Sequence, residues 1–120
     1  MVKNNTSGEV LLPKLKWCTS FLCRLRGLTF RRALAEDEGL LLDEKIESVV
    51  TTAIHMMFVF FPIAAIWLDG RFRVVDKALA RPFGLYYAPR HSARYVLEGP
   101  PALLERVNIG DQLSISEGTL

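Results

Sequence analysis

The chain is short of the residues that most often announce chemistry. Among its 120 residues there are two cysteines and two histidines. Cys18 and Cys23 stand in a C-x4-C spacing, and His55 and His91 lie far from each other. Structural zinc sites use short paired knuckles or histidines at matching intervals, so neither a metal nor a cofactor is expected. Two buried thiols in a reducing compartment are the default for such a pair, with a disulfide open to an exported protein. A strong excess of one charge is also missing. The net charge is +2, and Arg24, Arg26, Arg31 and Arg32 are offset at once by Glu36, Asp37 and Glu38. A nucleic-acid binder concentrates its cations to neutralise several phosphates, so nucleic acid is not an expected partner. There is no paired-carboxylate motif, no Gly-rich phosphate loop and no G-x-S-x-G elbow. The opening "MVKNNTSGEV" lacks the apolar segment of an export signal. Residues 1–8 therefore read as a flexible tail, and the cytoplasm as the location.

What is present is a globular composition, half apolar and 23% charged, enough for one domain with its own core. The most apolar stretch runs from Ala53 to Leu68, interrupted only by His55 and Pro62. It falls short of the roughly 20 residues that cross a bilayer as a helix. Pro62 would break such a helix, and the abundance of Phe, Val and Ile favours strands. Asp69-Gly70 closes the run with a two-residue hairpin signal. Pairing across that turn sets Trp67 opposite Phe72 and Ala64 opposite Val75, with Arg71 and Arg73 on the other face from the aromatics. Residues 51–61 read as a second strand, apolar on both sides, which suits a central position.

Elsewhere "VLLPKLKWC" gives one or two strands and "GLLLDEK" another. "FRVVDKAL" completes the hairpin, "ARYVLE" alternates like a strand, and "GDQLSI" closes the chain. Thr19 or Ser20 caps a short helix carrying Phe21, Leu25 and Leu28. Pro100-Pro101 opens a second, with Leu103, Leu104 and Val107 inward. The expected fold is a single mostly-β (α+β) domain over residues 9–117. It is a small barrel-like or strongly curved antiparallel sheet with two short helices.

With these segments in order, the chain resembles the domain-of-unknown-function 192 family of small bacterial and archaeal proteins. The likeness runs from about Trp17 to Ile115. It rests on "RLRGLTFR", "GLLL", "IHMMFVFFPIAAIWLDGRFRVV", "YVLEGPP" and the final "IGD". The resemblance implies a compact β-rich fold, which many members carry after an export signal, and no established reaction. Where the family pattern has an acid two residues after the proline, this chain has Ala64. An activity that used that acid would be absent here; an acid that only paired with a neighbour is simply replaced.

Six residues are candidates for a ligand site: His55, Arg24, Tyr86, Tyr87, Arg81 and Glu98. His55 carries the one imidazole in an apolar strand and could be a base, a ligand-binding group or a satisfied core residue. Glu98 ends a strand before Gly-Pro-Pro and is expected to pair with Arg24 or Arg94. Tyr86 and Tyr87, with Phe83, stand among Arg81 and Arg90 in a loop suited to stacking on a planar ligand, or to capping the fold. Asp111 fits a turn. The leading expectation is a non-catalytic binding or accessory module for an unknown small molecule or protein. The alternatives are a hydrolase-like enzyme with His55 as base, oriented by Glu98 or Asp111, and a membrane-peripheral protein without a membrane span.

Overall fold

A computed structural model describes residues 1–18, 37–48, 61–82, 87–116 and 118–119. Among these residues nine strands run in chain order: β1 (Val2–Asn4), β2 (Glu9–Leu12), β3 (Lys14–Cys18), β4 (Glu38–Ser48), β5 (Ile63–Leu68), β6 (Val74–Ala80), β7 (Ala93–Gly99), β8 (Leu113–Ile115) and β9 (Gly118–Thr119). Between β7 and β8 lies a 3-10 turn, Pro101–Glu105. A six-stranded sheet has the order β6-β5-β7-β4-β3-β9, and a three-stranded sheet has the order β2-β1-β8. The alternation of "KLKWC" and "ARYVLE" produces strands as expected, because successive side chains must point to opposite faces.

β5 and β7 sit inside the large sheet, and every residue of β5 is buried. A strand flanked on both edges and covered on both faces has no solvent side, so "IAAIWL" carries no polar residue. On one face Leu15, Leu41, Ala64, Ile66, Leu68 and Leu97 pack against Val2, Leu11, Leu12 and Leu113 of the small sheet, with Leu103 of the 3-10 turn and Val107 just beyond it. Each such side chain contributes about 1.5–3 kcal/mol by leaving water. Gly39 brings the layers close: a Cβ there would stand 2.5 Å from Leu12 Cδ1. On the opposite face Cys18, Leu40, Leu42, Ile63, Ala65, Trp67, Ala80 and Val96 form a second cluster.

Several expectations are overturned. The sheets are open and not strongly curled, so there is no closed barrel. β3 and β4 are parallel, from Lys14 beside Glu38 to Cys18 beside Leu42, so the large sheet is mixed. Among the described residues there is no α-helix. The expected helix at Pro100 is only the 3-10 turn, with Leu103 and Val107 buried but Leu104 partly exposed. The other expected helix and, but for Phe61, the expected strand 51–61 lie outside the described residues; Phe61 is in no strand. The N-terminal residues are no tail, because Val2 and Asn4 are fully buried and β1 is the middle strand of the small sheet.

The hairpin forms, but in another register. Asp69 Oδ1 accepts hydrogen bonds from the backbone N–H of Arg71 (2.8 Å) and Arg73 (3.0 Å). These bonds hold a longer loop than the expected two-residue turn. Phe72, at φ 63°, takes the left-handed conformation that the sequence assigned to the turn residues. Trp67 consequently pairs with Asp76 and Leu68 with Val74, across a bulge. Phe72 turns to the inter-sheet side, 5.9 Å from the Trp17 ring and 4.7 Å from the Tyr95 ring, where aromatic contact offsets the backbone cost. Trp67 is buried on the other face. Ala64 stands opposite Leu79 and Gly99, not Val75, and is enclosed on the inter-sheet face.

Candidate functional site

The register of the large sheet arranges its outer face in rows. One row crosses Asp76, Trp67, Val96, Leu42 and Cys18; the next crosses Ala78, Ala65, Glu98, Leu40 and Lys16. Glu98 thus stands mid-sheet between Ala65 and Leu40, among the apolar side chains of the outer-face cluster. It is 5% exposed. Among the described residues its Oε1 has no hydrogen-bond partner. Burial pushes its carboxyl up to about 7. Removing water disfavours the charged form, and among the described residues no hydrogen bond to Oε1 compensates. The backbone groups of β7 are committed to ladders with β4 and β5, so they offer the carboxyl little. A buried polar atom without a partner costs about 1–3 kcal/mol and is rare in native proteins.

One of the two expected partners of Glu98, Arg94, is engaged elsewhere. Arg94 Nε donates to Asp43 Oδ1 at 3.2 Å. Arg24, His55 and Tyr86 lie outside the described residues. Tyr87 is half-buried against the outer-face cluster, and its hydroxyl oxygen accepts the Arg81 backbone N–H at 3.0 Å. The Arg81 side belongs to an exposed residue at the end of β6. Tyr87 and Glu98 therefore belong to the same side of the sheet, while Asp111 does not join them. Asp111 Oδ2 accepts hydrogen bonds from Asn4 Nδ2 (2.8 Å) and the Asn108 N–H (2.9 Å), which closes the loop before β8. That is the turn role expected of it, and it leaves the hydrolase constellation without one of its two proposed orienting acids.

A feature missed from the sequence is the clamp on the β6 margin. Asp76 is buried, and Arg90 donates to it from its backbone N–H (2.9 Å), Nε (3.2 Å) and Nη2 (2.8 Å). Burial alone would raise the Asp76 carboxyl, but the Arg90 side-chain and backbone bonds, with the Lys77 N–H, together hold it below its ordinary value. Asp76 is the lone acid in "VVDKALA", and that isolation was the available signal. The clamp and the Tyr87 bond tie the segment after residue 86 to β6 at two points. Among the described residues no group of three or more His, Cys, Asp or Glu could hold a metal ion. No helix among them is long and apolar enough to cross a membrane. Cys18 is buried and disulfide-bonded, contrary to the expectation of free thiols.

The chain matches the DUF192 family, described as "Uncharacterized ACR", over residues 2–115. A UPF0127 protein of Thermococcus gammatolerans is 36% identical over 116 residues, covering 95% of this chain and 74% of the relative. A UPF0127 protein of Pyrococcus furiosus is 29% identical, covering 92% of this chain and 93% of its own. A crystal structure of a protein of unknown function from Novosphingobium aromaticivorans superposes with a TM-score of 0.81 at 21% identity, over 95% of this chain and 82% of that one. At that identity the likeness concerns the fold.

Proposed function

Because this chain belongs to the DUF192 family, which prescribes no reaction, we propose from its geometry that it is a small non-catalytic binding or accessory module. Its site is the outer-face row through Glu98, with Tyr87 and Arg81 at the β6 side. The observation that carries this is the buried Glu98 carboxyl, which lacks a partner among the described residues. A polar anchor inside an apolar surround is how a small-molecule site fixes the orientation of what it holds. Apolar side chains supply area, and the anchor supplies selectivity.

The test is capture of compounds from a metabolite extract, read by native mass spectrometry. Wild type is expected to retain a compound that Glu98→Gln and the Tyr86→Ala, Tyr87→Ala pair release, with the circular dichroism of both variants unchanged. Equal retention by Glu98→Gln would remove Glu98 from the site. Unfolding of the tyrosine pair would assign those rings to capping the sheet instead.

A second role for the same carboxyl is favoured by its value near neutrality, which suits a general acid or base. It would act in a hydrolase-like reaction with His55 as base. Turnover lost in both Glu98→Gln and His55→Gln would favour that role over binding. As to location, the Cys18 disulfide argues for an oxidising compartment, because a disulfide is costly to maintain against cytosolic reductants.

A further inference from the structure

We propose that Asn5 is a glycosylation site, carrying a sugar on its side-chain nitrogen. The proposal goes beyond the binding reading and rests on the oxidising location argued above. Residues 4–7, "NNTS", hold two overlapping N-x-[ST] acceptor motifs. One begins at Asn4 and uses the Thr6 hydroxyl; the other begins at Asn5 and uses that of Ser7. The remaining asparagine, Asn108, is followed by Ile109 and Gly110 and has no such motif. The motifs alone do not choose between Asn4 and Asn5. The fold does.

Asn4 ends β1 and is fully buried. Its Nδ2, the atom that would carry the sugar, donates to Asp111 Oδ2 at 2.8 Å and to the Arg106 carbonyl at 3.4 Å. Its Oδ1 accepts the N–H groups of Thr6 and Ser7. A sugar there would displace a donor from this network and force a hydrated group into buried surroundings. Asn5 is one residue further on, exposed in the turn 5–8 between β1 and β2. Its backbone N–H is anchored to the Gln112 carbonyl at 2.8 Å. The turn is closed by the Gly8 N–H, which donates to the Asn4 carbonyl at 2.7 Å, with Gly8 at φ 82°, where glycine is at ease. The Asn5 side chain is thus offered to solvent from a fixed turn. That turn belongs to the small sheet, which covers the face of the large sheet away from Glu98, so a sugar on it leaves the proposed binding row clear.

In the transfer, Asn5 Nδ2 gives up a proton and bonds to the anomeric carbon of the sugar. The bond from that carbon to a phosphate oxygen of a lipid-linked donor breaks, and the phosphate leaves with the electron pair. Such modification marks surface loops of exported proteins, in accord with the Cys18 disulfide.

The two hydroxyls allow a test that keeps both asparagines. Thr6→Ala removes only the Asn4 motif, and Ser7→Ala only the Asn5 motif. Each hydroxyl accepts one exposed backbone N–H, from Gln112 and Glu9 respectively, so both variants are expected to fold. The full chain and both variants are produced in the protein's own organism, then examined by intact mass, peptide mapping and thiol labelling. Wild type and Thr6→Ala are expected to carry at least one sugar unit on Asn5, and Ser7→Ala none. A sugar kept in Ser7→Ala and lost in Thr6→Ala would move the site to Asn4 and overturn the proposal. A wild-type chain of bare polypeptide mass would overturn it as well. In that sample, bridged cysteines would leave the oxidising location standing, whereas free thiols would remove the location too.

Discussion

Two of the four carboxyl groups buried among the described residues, Asp111 and Glu98, sit in opposite surroundings. Asp111 lies at the edge of the small sheet, where Asn4 and Asn108 donate to it. Asn4 is itself completed by accepting the backbone N–H groups of Thr6 and Ser7. Glu98 lies on the outer face of the large sheet, with no hydrogen bond to Oε1 among the described residues. The first cluster uses polarity to pin β1 and the β8 loop together across 107 residues of sequence. The second leaves one carboxyl oxygen, Oε1, tied to nothing among the described residues. A satisfied network specifies a fold; an unsatisfied group in an otherwise well-packed protein is a cost retained for another purpose.

The largest effect expected on either side is a control for the packing they share. Leu97 neighbours Glu98 on β7 but faces the inter-sheet core and is fully buried. Leu97→Ala should cost about 2–5 kcal/mol in urea unfolding. A loss under 1 kcal/mol would mean the sheets are not sealed on that side, and the contrast between faces would fail.

Glu98→Gln comes next and has the opposite sign. The folded carboxyl titrates near 7 against an ordinary 4.5, so between those values the native state holds a proton that the unfolded chain has released. The Glu98 contribution to stability should therefore be greatest below pH 4.5 and fall by about 3 kcal/mol as pH rises through 7. The glutamine variant should lack that decline and exceed wild type at pH 8. Superimposable pH profiles for the two proteins would show that Glu98 is compensated after all.

The smallest effect sharpens the other half of the comparison. Asp111→Ala leaves Asn4 Nδ2 and the Asn108 N–H without their acceptor and should cost about 1–3 kcal/mol, again by urea unfolding. A neutral outcome would make the two carboxyls alike, with Asp111 as dispensable as Glu98.

Much of the strand pattern was legible beforehand. β3 and β7 alternate in sequence as they alternate in space, and Tyr95 and Leu97 do face away from Val96 and Glu98. Glu98 itself was visible as a candidate, but its surroundings were not. Of the two arginines expected to pair with it, Arg24 lies outside the described residues and Arg94 reaches Asp43, 51 positions away. The polar first residues looked like a tail because nothing nearby satisfies Asn4; its partner comes from the far end of the chain. The hairpin was legible as a hairpin, yet its register was not, because the Asp69 side chain competes for the backbone N–H groups that the shorter turn would have left free.

By itself the order of residues determined which segments are extended and which side of each strand is apolar, since alternation is a property of a single backbone. Which strands lie side by side, whether β3 meets β4 in parallel, and that Glu98 ends between Ala65 and Leu40 were decided only by tertiary structure. Those choices depend on contacts between residues remote in the chain, where burial and hydrogen-bond satisfaction are settled jointly rather than position by position.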